Sequence, residues 1–258
     1  MRIEYSPSII HSMSLSEIVK HNLRDYYIRE GIIPNDCFAC KMLNHCSETD
    51  KTGKLARGMQ CHIGSRFGEK MRVLVAALDC GNGGAEVIES RTADVVSGAS
   101  KPLHPHMRGT YKALSYFLED DEPTKLVDYM AMVNTCKCCR IDSSNHLSWN
   151  YYWNCKPHLL AEISIIQPDV ILFQGKNSII GCRDLLNPID GIEDDEIMAY
   201  LRQFTTMDFS CYAVTCIHPS ARGRSVYKRI HFYDIILPKV AEYIKSHPLS
   251  KKNGNLYL

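Results

Sequence analysis

The chain has 258 residues and a formal net charge of +1, with 45% hydrophobic and 23% charged residues. That length buries a sizeable core without small-scaffold staples, and the near-neutral charge neither demands nor excludes a polyanionic partner. The opening MRIEYSPSIIHSMS has no long apolar run, and no segment approaches the roughly 20 apolar residues that span a bilayer, so a cytoplasmic protein with no membrane partner is expected.

In chain order, Ser14 predicts the N-cap of a helix over 15–29, with Glu17 completing a capping box and Gly31 just past the end. Residues 1–34 therefore read as an N-terminal helical arm. Residues 35–68 are polar, carry Cys37, Cys40, Cys46 and Cys61, and have weak secondary-structure signals of their own. The run RVLVAAL (72–78) is the first strand-like segment and ends at Asp79. From Gly81-Asn82-Gly83-Gly84 to Arg108 there is little periodicity, and a loop that long is usually functional. A helix is predicted over 110–118. YMAMV (129–133) is the second strand and ends at Asn134, after which a cysteine-bearing loop leads to a helix over 157–166, stopped near Pro168. VILF (170–173) ends at Gln174-Gly175 and precedes a short helix over 178–186 and an acidic stretch, 193–196, that opens another. YAVTCI (212–217) ends at His218-Pro219-Ser220. The pattern over 225–247 is helical with Pro238 interrupting it, and 248–258 reads as a flexible tail.

The four apolar runs, rich in Val, Ile and Ala and separated by helical stretches, read as strands of a parallel sheet buried on both faces. Ligands of such sheets bind outside the carboxyl ends of the strands, so one crevice would collect Asp79, Asn134 and His218: an acid, an amide and an imidazole. Twelve cysteines in a reducing compartment point to metal or cluster ligation rather than disulfides. Cys182, Cys211 and Cys216 lie in apolar stretches and read as small buried hydrophobes. Cys37-Phe-Ala-Cys40 has a spacing that suits zinc or an iron–sulfur cluster. A second group, Cys136-Lys-Cys138-Cys139, is followed by Cys155 with sixteen residues between Cys138 and Cys155. Zinc held by Cys37, Cys40, Cys46 and Cys61, in a hydrolase of some other small nucleotide, is the local alternative.

The strings Asn134-Thr-Cys-Lys137-Cys138, Asn154-Cys155-Lys-Pro-His-Leu-Leu, Ile166-Gln-Pro-Asp-Val-Ile-Leu-Phe-Gln-Gly175 and His218-Pro-Ser-Ala-Arg222 follow Cys37-Phe-Ala-Cys40 in that order. This ordered set resembles the uracil-DNA glycosylase superfamily in its iron–sulfur type. The likeness covers roughly residues 37–243, with the N-terminal arm and an insertion over 82–107 outside it. It implies a [4Fe–4S] cluster on Cys37, Cys40, Cys138 and Cys155. With the strand pattern it leads to an α/β domain over 35–247, three-layer α/β/α around a central four-stranded, mainly parallel sheet. The implied activity is hydrolysis of the N-glycosidic bond of a flipped pyrimidine in DNA by a monomer with no obligate protein partner, leaving an abasic site. In such chemistry Asp79 would orient water and stabilise the cationic sugar, Asn134 would read the base edge, and His218 would hydrogen-bond the departing base.

Two strings depart from the pattern. Where the iron–sulfur type reads Gly-Glu-Ala-Pro-Gly, this chain has Ala77-Leu78-Asp79-Cys80-Gly81, so the acid stands one position later, as in the Gly-x-Asp-Pro form of other superfamily members. The Pro-Phe-Val-Gly string that carries the base-stacking aromatic is missing. His106, in His104-Pro-His106-Met107-Arg108, is the nearest alignable residue and the expected base contact. A reshaped, larger pocket is therefore expected, with a modified pyrimidine such as a hydroxymethylcytosine derivative of phage DNA as substrate. Ordinary uracil repair and a catalytically inactive nucleic-acid-binding protein of the same fold are the alternatives. The basic stretch that includes Ser220, Arg222, Arg224 and Lys228 is expected to hold DNA phosphates.

Overall fold

The structure is a computed structural model and describes residues 13–34, 37–49, 55–78, 86–101, 105–140 and 149–249. Asp79, Cys80, His104 and the tail from 250 lie outside the described residues.

Helix α1 (Leu15–Arg29) starts at the predicted capping box, with Glu17 N–H donating to Ser14 Oγ at 3.3 Å and Ser14 N–H donating to Glu17 Oε2 at 2.8 Å. Gly31 follows at φ +68°, a left-handed turn that glycine adopts without strain. The helix is packed into the core through Val19, Leu23, Tyr26 and Tyr27. Residues 35–68 hold more regular structure than expected: α2 (Leu43–Thr49), β1 (Leu55–Arg57) and β2 (His62–Ile63). After β3 (Val73–Ala77), the stretch expected to be a loop contains α3 (Ile88–Ala99), and the predicted helix beyond it is α4 (Pro105–Leu118). Then come α5 (Pro123–Tyr129), β4 (Met130–Asn134), β5 (Cys138–Arg140), α6 (Trp149–Asn154), α7 (Lys156–Ile166) and β6 (Val170–Gln174). A 3-10 turn over Ile180–Leu185 leads to β7 (Leu186–Asn187), α8 (Asp195–Tyr200), β8 (Leu201–Thr205) and β9 (Ser210–Cys216). The chain then forms α9 (Val226–His231), a π-helical turn (Phe232–Ile236) and α10 (Leu237–Ser246).

The fold is α/β, but the expected four-stranded sheet is corrected: among the described residues the main sheet has seven strands in the order β2-β4-β3-β6-β9-β8-β7. The four strands read from the sequence are its parallel centre. β2 joins one edge antiparallel, and β8 and β7 extend the other edge antiparallel, so the sheet is mixed. These edge strands lack the long apolar runs of the centre: β2, though buried, is only two residues long, and β8 is buried at only two of its five positions, Leu201 and Phe204.

Strand alternation divides the core in two. Leu74 and Ala76 of β3, with Ile171 and Phe173 of β6, face residues of α1 and α7. Val73, Val75, Val170 and Leu172 face residues of α4 and α10. Helices thus cover both faces of the parallel centre, which explains its continuous apolar sequence. No helix among the described residues is long and apolar enough to cross a membrane.

Candidate active site and thiol pocket

Parallel pairing sets Ala77 beside Asn134, Ala76 beside Phe173, and Gln174 beside Cys216. The last residues of the four central strands therefore form one row, Asn134, Ala77, Gln174, Cys216, along the carboxyl edge. Alternation places that row on the face of Val75, Leu172 and Val214, the face covered by α4. Asn134 is 1% exposed, and its Oδ1 has no partner among the described residues. Gln174 is as buried; its Nε2 donates to Thr110 Oγ1 at 2.7 Å, and its Oε1 also has no partner among the described residues. Ala77 between them supplies only a methyl group. The end of β3 is pinned from the next strand: Thr135 N–H donates to Ala77 O at 2.8 Å, and Thr135 Oγ1 and Cys136 N–H donate to Leu78 O at 2.9 and 3.1 Å. The chain is held up to the residue before Asp79, which itself lies outside the described residues.

His218 stands past the end of β9, and α4 packs against its loop so closely that a Cβ on Gly109 would lie 2.7 Å from Pro219 Cβ. This contact brings His106, one turn earlier on α4, to His218, with ring centroids 5.1 Å apart and planes tilted by 39°. Ser220 N–H approaches His218 Nδ1 at 3.3 Å and its hydroxyl at 3.1 Å. A backbone N–H can only donate, so Nδ1 is the acceptor and the neutral ring carries its proton on Nε2. The loop is braced from behind by residues the sequence reading did not single out. Arg229 Nη1 donates to Ala221 O at 2.9 Å, and Tyr233 OH donates to Ile217 O at 2.9 Å. Arg222, Arg224 and Lys228 are exposed on the same loop and the start of α9, beside Tyr227, which is 84% exposed. The structure thus joins His106 to His218 and to the basic stretch, with Asn134 on the row three strands away.

A second pocket lies on the opposite side of the Asn134–Cys138 segment. It is lined by Cys40, Cys46, Cys138 and Cys155, with Phe38, Leu43, Arg57, Tyr151 and Asn154 among the other wall residues. Cys37 is exposed and does not line it, so Cys46 stands where the resemblance implies Cys37. Cys61, a member of the alternative zinc set, is elsewhere: it is fully buried and does not line the pocket. Among the described residues no three ligand side chains converge on a single ion position; the thiols are spread around the pocket wall. Asn154 Nδ2 donates to Cys46 Sγ at 3.2 Å. His158 Nε2 lies 3.3 Å from Cys40 Sγ, while its Nδ1 is 2.7 Å from Tyr26 OH. Burial pushes the Cys40, Cys46 and Cys138 thiols up. Cys155 is held below the usual thiol range by hydrogen bonds from the Cys136 thiol and the Lys137 N–H. Cys182, Cys211 and Cys216 are buried, as their apolar surroundings in the sequence led one to expect.

Between the pocket and the sheet lies an ion pair that only the Lys137-Cys138 string hinted at. Lys137 Nζ reaches both oxygens of Glu162 at 2.6 and 2.7 Å, and Tyr27 OH donates to the same carboxylate. All three residues are fully buried. No protein-family model matches the chain, and no curated protein matches it.

Proposed function

We propose that this protein is a monofunctional DNA glycosylase that hydrolyses the N-glycosidic bond of a flipped pyrimidine, in a three-layer α/β/α domain stabilised by a [4Fe–4S] cluster. The observation that carries the reading is the imidazole pair at the carboxyl edge of the parallel strands: His218, its proton directed to Nε2 by Ser220, stands against His106 on the same face as the buried Asn134 amide. A departing pyrimidine gathers negative charge on the carbonyl oxygen beside its glycosidic nitrogen, and an N–H fixed in advance at that place lowers the barrier without reorganising. His218 Nε2 is the donor, Asn134 reads the base edge, and His106 forms a wall of the base pocket. Asp79, directly after the pinned end of β3, orients the attacking water and offsets the positive charge of the sugar. Arg222, Arg224 and Lys228 hold phosphates around the extruded nucleotide, and Ser220 contributes through its hold on His218. The protein acts on DNA as a monomer.

Cys40, Cys46, Cys138 and Cys155 would hold the cluster. Four thiols spread around a pocket wall suit a cubane, whose corners each take one thiolate, whereas one zinc draws its ligands to a common point at about 2.3 Å. When bound, the cluster would supply four iron–thiolate bonds that tie the segment before α2, α2 itself, β5 and the start of α7 together. The test of the reading is alkali-labile strand breakage in oligonucleotides carrying one candidate base each. The expected result is an abasic site at that base with the native protein and a loss of about 100-fold or more with His218→Ala, at unchanged DNA affinity. Release of no base from any of these DNAs overturns the reading.

A further inference from the structure

We propose that Gln174 is a specificity-determining residue of this pocket, presenting a hydrogen-bond acceptor of fixed direction that selects a base with an exocyclic amine, of the cytosine type, over one with a carbonyl at that position. The inference rests on the glycosylase reading for the place of the base, but its chemistry comes from a chain of hydrogen bonds. Thr110 has one hydroxyl hydrogen, and it is spent on the carbonyl of His106 in the preceding turn of α4, at 3.0 Å. Toward Gln174, Thr110 Oγ1 can therefore only accept. That fixes the amide orientation, which is otherwise ambiguous: Nε2 faces Thr110 at 2.7 Å, and Oε1 faces away. Gln174 is 1% exposed, and Oε1 has no partner among the described residues. A buried acceptor calls for a donor from outside the chain, a water in the free protein and a ligand's donor when one is bound.

The row in which Gln174 stands shows what donor would fit. Asn134 Oδ1, two strands away, is a second buried acceptor without a partner among the described residues, and Ala77 between them adds only a methyl group. A pyrimidine lying over Ala77 would meet both amides. A uracil nucleotide has one donor on its pairing edge, the ring N–H, flanked by carbonyl oxygens. Asn134 alone can serve it, and the fixed Gln174 oxygen would then confront a carbonyl. A cytosine-type base has an amine with two hydrogens, one for each acceptor, while the Asn134 amide nitrogen can donate to the ring nitrogen.

The test uses the native protein and two variants, Gln174→Met, which keeps the length of the side chain without its acceptor, and Thr110→Val, which removes the group that orients the amide. Base release is measured from DNA carrying cytosine, 5-hydroxymethylcytosine, uracil or 5-hydroxymethyluracil at one position, and binding of the free bases cytosine and uracil is measured by calorimetry. The native protein should favour the amine-bearing member of each pair. Gln174→Met should reduce that preference about 5- to 100-fold, the range expected when a buried polar contact is lost. Thr110→Val should reduce it by improving the oxo base, since a released amide can turn its Nε2 to a carbonyl. A merely structural Gln174 would lower all bases alike and leave the ratio unmoved, which overturns the proposal. Equal treatment of amine and oxo bases by the native protein in both assays overturns it as well. Because the calorimetric assay needs no catalysis, a protein that binds cytosine over uracil yet releases neither would sink the glycosylase reading and leave this inference standing.

Discussion

At the residue scale, the most informative disagreement between sequence and structure concerns two cysteines. Spacing made Cys37 and Cys40 a pair, because two thiols three positions apart form a familiar ligand unit. In the fold Cys40 points into the thiol pocket, Cys37 is exposed, and Cys46 on α2 completes the wall, with its sulfur held by Asn154 and its carbonyl by Tyr151 at 2.7 Å. The sequence offered no means of choosing, since the orientation of a thiol depends on the helix that Leu43–Thr49 forms against α6. On the cluster reading proposed above, Cys37→Ala should keep about four irons and four sulfides per chain, and Cys46→Ala should lose them along with visible absorbance. Metal and sulfide analysis of the purified variants checks this, and the reverse outcome returns the ligand role to Cys37. Asn134 and His218 were legible because each ends an apolar run. Gln174 ends one too, but its meaning depends on Thr110, sixty-four positions earlier, and no local pattern reveals that partner.

At the scale of elements, the central strands and the helices with clear caps could be read directly, because burial on both faces and end signals are written locally. The helix Ile88–Ala99 could not: Val87 at its N-cap makes no side-chain cap bond, and its buried residues are few, Ile88, Val95 and Ala99. Pro238 was read as a break, yet the chain stays helical around it by forming the π-helical turn Phe232–Ile236, which accommodates the proline that opens α10. The segment from Asn134 to Cys138 does two jobs in five residues, delivering an amide to the carboxyl edge of the sheet on one side and Cys138 to the thiol pocket on the other. Lys137, between them, is anchored through its buried pair with Glu162. Removing one partner strands the other's charge, so Lys137→Met should destabilise the fold by about 3–5 kcal/mol. Replacing both, as Lys137→Met with Glu162→Leu, should recover most of that loss even though Tyr27 then lacks its acceptor. Chemical denaturation of the two variants decides the matter; a double variant no more stable than the single one would show that the network is needed for more than charge balance.

At the scale of the whole molecule, the same helices that cover the sheet also set its response to acid. His62 on edge strand β2 is fully buried, with Nε2 donating to Val127 O at 2.9 Å and Nδ1 3.3 Å from Thr92 Oγ1, so one ring ties the sheet edge to both α5 and α3. Burial, with the Arg91 and Lys20 charges adding to it, lowers its pKa from 6.5 to about 4. The folded protein therefore favours the neutral ring, while the unfolded chain takes up a proton near pH 6.5. For a pKa lowered by folding, the contribution is complete above the unfolded value and disappears as pH falls through the folded one. The window runs from about pH 6.5 down to about pH 4, and the loss across it is on the order of 3 kcal/mol. Denaturation midpoints measured at half-unit steps should fall through this window. His62→Gln, which retains a polar group but no proton to titrate, should start lower at neutral pH and decline less steeply on acidification. An unchanged slope in that variant would move the acid sensitivity to other buried groups and leave His62 as a neutral structural tie.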